Sequence, residues 1–155
     1  MKRTSLVLSI LIFFSTSSFA EEKYLLCDST YSFNEDRHFW VLMDKLIFIN
    51  DTGNSVVVLN LWTESTSYQG IDVEDVSHST LYYVKNDDKY LNFEYSGFTP
   101  LKLDRKTLFL KFASYNGEEG WQCSFISKDE YDANVILHEK YYENFRKERR
   151  EGNKL

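Results

Sequence analysis

Leu81-Tyr82-Tyr83-Val84, then Lys85-Asn86-Asp87-Asp88-Lys89, then Tyr90-Leu91-Asn92-Phe93-Glu94-Tyr95: this stretch decides the fold. Two short runs of aromatic and apolar residues flank five charged and turn-forming residues, the pattern of a β-hairpin with its loop at 85–89. The second run alternates. Leu91, Phe93 and Tyr95 fall on one face of a strand and Tyr90, Asn92 and Glu94 on the other, because successive strand side chains point to opposite sides.

The same grammar extends in both directions. Leu101 and Leu103 alternate with Lys102 and Asp104, and Leu108, Leu110 and Phe112 continue beyond Arg105-Lys106. Asn116-Gly117-Glu118-Glu119-Gly120 is a turn leading into a strand over 121–125. Upstream, 46–50 is a short apolar strand that ends in Asn50-Asp51-Thr52-Gly53-Asn54, rich in turn formers. Residues 55–62 are β-branched and apolar on both faces, which predicts a strand covered on both sides. Tyr24-Leu25-Leu26-Cys27 opens the series. Residues 33–43 read either as a strand or as a short helix begun at Asn34. The expectation is a mainly β domain over 21–126, an antiparallel meander or small barrel of about seven strands.

The period changes at the end of the chain. Ser127 followed by Glu130 has the form of a capping box. Tyr131, Val135, His138, Tyr142 and Phe145 then share one helical face, with Leu137 and Tyr141 at its margin. Arg146, Lys147, Arg149 and Arg150 occupy the last turns, where positive charge complements the helix dipole. One C-terminal α-helix is therefore expected over 127–151, packed on the sheet, with a flexible tail at 152–155.

The first twenty residues read as a cleavable secretory signal peptide. Lys2 and Arg3 precede an apolar run over 6–14, and Ser18 and Ala20 stand where a signal peptidase reads before Glu21. That run is shorter than the ~20 apolar residues of a membrane span, and no second candidate follows, so stable membrane insertion is not expected. Cys27 lies beyond Glu21-Glu22-Lys23, too far from the apolar core for a lipoprotein signal. Loss of Lys2 and Arg3 takes the formal charge from −6 to −8. Such an acidic body repels nucleic acid and suits a basic partner or plain solubility. A periplasmic or secreted address also makes Cys27 and Cys123 a disulfide, since an isolated pair in an oxidising compartment is most simply a bridge.

Motifs for chemistry are sparse. His38, His78 and His138 have no metal-ligand spacing, and Asp72-Val73-Glu74-Asp75 lacks the glycine and alternating oxygens of a calcium loop. His138 on an apolar helix face reads as a hydrogen-bonded packing residue. No nucleophile elbow and no Gly-rich phosphate loop occur. No metal, cofactor or catalytic residue is assigned, and a non-enzymatic role is expected; a carboxylate-based hydrolase is the competing class.

Aromatic content is the unusual feature. Phe13, Phe14 and Phe19 lie in the leader, leaving 23 of the 26 aromatic residues in the mature chain. Trp62, Tyr82, Tyr83, Tyr90 and Trp121 either fill the core or line a binding face for a protein or a small apolar ligand.

A signal peptide, an early cysteine, a β meander and a late cysteine together resemble small two-cysteine exported proteins of Gram-negative bacteria. Residues 103–108, Leu-Asp-Arg-Lys-Thr-Leu, are similar to a strand-turn-strand element of such proteins. Tyr24, Cys27 and Asp28 are similar to the opening of the periplasmic inhibitors of C-type lysozyme. Ser96-Gly97 resembles the serine-glycine loop that those inhibitors place in the lysozyme cleft; Thr99-Pro100 stands where they carry a tyrosine. That resemblance adds Ser96 and Gly97 to the candidate binding residues and implies inhibition of a basic hydrolase. A barrel, a following helix and a disulfide also resemble the lipocalin architecture, without its early G-x-W, since His38-Phe39 precede Trp40.

Overall fold

The computed structural model of the chain describes residues 21–32, 39–63 and 79–152. Within them, eight antiparallel strands follow in chain order and close into a barrel. They are β1 (Lys23–Ser29), β2 (Lys45–Ile49), β3 (Ser55–Asn60), β4 (Ser79–Asn86), β5 (Tyr90–Tyr95), β6 (Phe98–Asp104), β7 (Phe109–Phe112) and β8 (Trp121–Ile126). A four-residue helix α1 (Phe39–Leu42) precedes β2, and the long helix α2 (Lys128–Gly152) ends the described chain. The expected class is therefore present, with one strand more than about seven. Of the ambiguous segment 33–43, residues 39–42 are helical.

β1 closes the barrel by pairing with both β2 and β8. Cys27 and Cys123 are direct cross-strand neighbours on that seam and form the disulfide, 96 residues apart in sequence. Closure removes sheet edges, so every strand keeps two hydrogen-bonded neighbours.

The alternation read from the sequence sorts side chains into two cores. Leu25, Cys27, Ile47, Ile49, Val56, Val58, Phe93, Leu101, Leu103, Leu110 and Trp121 point inward and fill the barrel. Tyr31 and Val41, from the β1–β2 connection, join them at one barrel end. The second core lies outside. Leu26, Leu46, Leu59, Leu61 and Ile126 meet Tyr131 and Val135 of α2, and Met43 and Trp62 meet Tyr142 and Phe145. β3 is thus apolar on both faces for a reason: one face lines the barrel and α2 covers the other.

Polar side chains set the turns. The Asp87 carboxylate accepts from the amides of Lys89 and Tyr90 at 2.8 and 2.7 Å, so the hairpin loop tightens to 87–89 while β4 runs on to Asn86. Asp104 does the same for Lys106 and Thr107 at 2.9 Å each, so 103–108 holds the end of β6 and the turn, and the second strand starts one residue later, at Phe109. Both carboxyls are held below their ordinary range, Asp87 chiefly by the Asn92 amide and Asp104 by the backbone amides it accepts from. The capping box is present: Ser127 N donates to Glu130 Oε2 at 2.8 Å, and Glu130 N to Ser127 Oγ at 3.2 Å. No helix among the described residues is long and apolar enough to cross a membrane. Residues 1–20, where a signal peptide is expected, and Asn34, His38, the acidic run 72–75, His78 and the residues beyond Gly152 lie outside the described residues.

Candidate functional site

Ser96 and Gly97 form the two-residue turn between β5 and β6, with φ of 49° and 83°. Positive φ at both central positions is the requirement of the hairpin turn whose twist matches its strands, and asparagine or glycine normally occupies the first of them. A serine there holds an exposed hydroxyl at the tip of the hairpin. In this up-and-down topology, the turn projects from the barrel end that also carries α1 and the β7–β8 loop.

Strand pairing beside this turn is irregular. The β5–β6 register shifts between Phe93 and Tyr95. The extra residue is on the β6 side, since two steps along β5 match three along β6. Tyr95, on the strand face of Leu91 and Phe93, is the last residue of β5 and lies 48% exposed at the rim, its ring 6.1 Å from Tyr82 and 6.2 Å from Phe98. Phe98, Leu81 and Tyr83 are exposed by 56%, 54% and 69%. Leu81, Tyr83, Tyr95 and Ser96 line one shallow hollow with Ser79 and Thr80. Large apolar side chains gathered on one exposed patch are the mark of an interaction surface. Charge at its border is balanced: Glu94, paired across the ladder with Tyr83, lies 4.0 Å from the Lys85 ammonium.

Of the residues expected to bind, Tyr83, Ser96 and Gly97 come together here. Tyr82 sits just behind, half-buried with its ring 6.0 Å from Phe93, and burial pushes its hydroxyl pKa up. Tyr90 lies at the far end of β5, with the Lys89 and Lys102 ammoniums 5.0 and 5.3 Å from its ring. Trp121 is fully buried in the barrel, its indole N–H donating to the Met43 carbonyl at 2.9 Å. Trp62 is buried under α2, its ring 4.7 Å from Phe145. Leu81, Tyr95 and Phe98 are not among the binding residues that the sequence suggests. The Leu81/Tyr83 alternation on the hairpin is the signal that finds the first; Tyr95 is exposed by its place at the end of β5, which alternation alone does not mark.

A charged group is also enclosed at this barrel end. Lys45 is 2% exposed, donates to Asn60 Oδ1 at 2.6 Å and stands 4.2 Å above the Trp121 ring. Burial lowers its pKa to about 7, partly opposed by the neighbouring Asp44 carboxylate. Asp44 accepts from the Ser29 amide at 2.8 Å, and desolvation raises its pKa. Lys45 is inside the fold and Asp44 is half-buried, and neither lines the hollow. Among the described residues, no three His, Cys, Asp or Glu side chains converge as metal ligands. No protein-family model, curated protein or solved structure matches the chain.

Proposed function

We propose that the chain is an exported, non-catalytic domain that binds a protein partner through the rim formed by β4, β5, β6 and the Ser96-Gly97 turn. The observation that carries this reading is the exposure of Leu81, Tyr83 and Tyr95 along one hollow, with the exposed Phe98 ring 6.2 Å from that of Tyr95. Aromatic side chains on a rigid strand surface give a large contact area at small entropic cost, and such residues dominate binding energy at interfaces. A small apolar ligand would need interior space that Phe93, Trp121, Leu25 and Ile47 already occupy. The Cys27–Cys123 bridge agrees with an oxidising compartment such as the periplasm.

A narrower reading is inhibition of a basic hydrolase such as lysozyme. It is favoured by the strained serine at the tip of an exposed hairpin and by the acidic charge of the chain, which steers basic proteins toward it. Affinity capture from a periplasmic extract, with retained molecules identified by mass, tests the general proposal. A retained protein is expected; retention of small molecules alone, or of nothing, would overturn it. Calorimetric titration against a C-type lysozyme tests the narrower one, and the absence of heat at micromolar concentrations rejects it without touching the first.

A further inference from the structure

Asn116 is the one asparagine in the chain that precedes a glycine. The pair lies in the loop between β7 and β8, at the barrel end that also carries the Ser96-Gly97 turn, and the Asn116 side chain is exposed. The loop is tied on both sides of the pair. Before it, Tyr115 N donates to the Phe112 carbonyl at 3.2 Å. After it, Ser32 Oγ donates to the Glu119 carboxylate at 3.2 Å, and Gly120 N donates to Thr30 Oγ1 at 2.9 Å. Asn116 and Gly117 stand between these ties.

Packing explains the glycine. The Tyr115 ring folds back over the loop, its hydroxyl donating to the Glu119 carboxylate at 3.5 Å, and a Cβ on Gly117 would overlap that ring. The position therefore takes the residue that leaves its own backbone nitrogen least shielded and its dihedrals freest. Other asparagines are held differently. The Asn50 carboxamide donates to Thr52 and Asn54, that of Asn92 to Asp87, and that of Asn134 to the Glu130 carbonyl. Asp51, Phe93 and Val135 follow them, each with a side chain that crowds the next backbone nitrogen.

We propose that Asn116 is a site of spontaneous covalent modification, converted in the folded protein to aspartate and isoaspartate through a cyclic imide. The Gly117 backbone nitrogen, having given its proton to base, attacks Asn116 Cγ. A bond forms between that nitrogen and Cγ, the bond from Cγ to Nδ2 breaks, and Nδ2 takes a proton from water and leaves as ammonia. Water then opens the five-membered ring. Attack at Cγ restores the ordinary backbone and gives aspartate; attack at the main-chain carbonyl routes the backbone through Cβ and Cγ and gives isoaspartate. One ammonia leaves, one water enters, and nothing is oxidised or reduced. A carboxylate replaces a neutral amide, so the barrel end that bears the exposed rim gains one negative charge. The isoaspartyl form also lengthens the main chain by one carbon between Tyr115 and Gly117. The modification needs no enzyme and is independent of the role proposed for the rim.

The test is incubation of the mature protein at 37 °C and at pH 6, 7.5 and 9, with circular dichroism to follow the fold and peptide mapping by mass to locate the change. A more acidic species is expected on anion exchange, carrying the mass gain of an amide turned to an acid, and mapping to Asn116 ahead of every other asparagine. Its formation is expected to be several-fold faster at pH 9 than at pH 6, because the attacking nitrogen must first lose its proton. Part of it is expected to accept a methyl group from an isoaspartate methyltransferase, which ordinary aspartate does not. Asn116→Gln, whose imide ring would have six members, is expected to stay unmodified under the same conditions. An Asn116 still intact after two weeks at pH 9, conversion led by another asparagine, or conversion seen only in urea would overturn the proposal. A product holding aspartate and no isoaspartate would overturn the imide route.

Discussion

Single residues carry two kinds of tension here. Lys45 is an ammonium enclosed beside Trp121 and Asn60. Its pKa falls from 10.5 unfolded to about 7 folded. Between those values the unfolded chain binds the extra proton, so raising the pH favours the fold; below about 7 the full cost of burying the charge remains. Urea midpoints are therefore expected to rise from pH 7 to pH 10, and Lys45→Met to flatten that rise; equal slopes in both proteins would refute this account of Lys45. Ser96 is the other tension. Its left-handed backbone suits asparagine better, so Ser96→Asn is expected to stabilise the fold by up to about 1 kcal/mol in chemical denaturation. Lys45 was not legible as a buried group, because a lysine at the start of an apolar run looks like an ordinary strand boundary. His138 was legible, since its position in the 131–145 stripe already places it on the buried helix face.

At the scale of elements, the chain is read most easily where one physical cause acts alone. The capping box at Ser127 and Glu130 starts α2 where expected, and Tyr131, Val135, His138, Tyr142 and Phe145 face the barrel. Leu137, at the margin of that stripe, is 47% exposed. Ser127→Ala is expected to cost about 1 kcal/mol, measured by thermal or denaturant unfolding, through loss of the N-cap. Trp62→Ala is expected to cost about 3–5 kcal/mol, because it opens a cavity between Met43, Tyr142 and Phe145 that the helix cannot refill. Tyr95 shows the limit of such reading. Period-two alternation puts it on the face of Phe93, and its place as the last residue of β5, beside the Ser96-Gly97 turn, leaves it exposed at the rim.

For the whole molecule, barrel closure and the disulfide are one device. The bridge lies on the β1–β8 seam, where first and last strands must meet across the longest chain separation in the sheet. Replacing both cysteines by alanine is expected to lower stability by about 4 kcal/mol, through the loop entropy restored to the unfolded chain. A meander and a late helix were visible in the sequence; closure was not, because both meander alternatives carry the same local alternation and differ only in whether β1 meets β8. The exposed rim has the same origin, since Leu81, Tyr83 and Tyr95 meet only once β4 and β5 are paired, and Phe98 reaches Tyr95 only through β6. Protein binding is the role proposed for it. The most direct test is parallel capture from a periplasmic extract on the natural mature protein and on the Tyr83→Ser, Phe98→Ser double variant, both checked for an intact fold. A protein retained by the first and reduced at least tenfold on the second is expected; equal retention on both would refute binding through this rim.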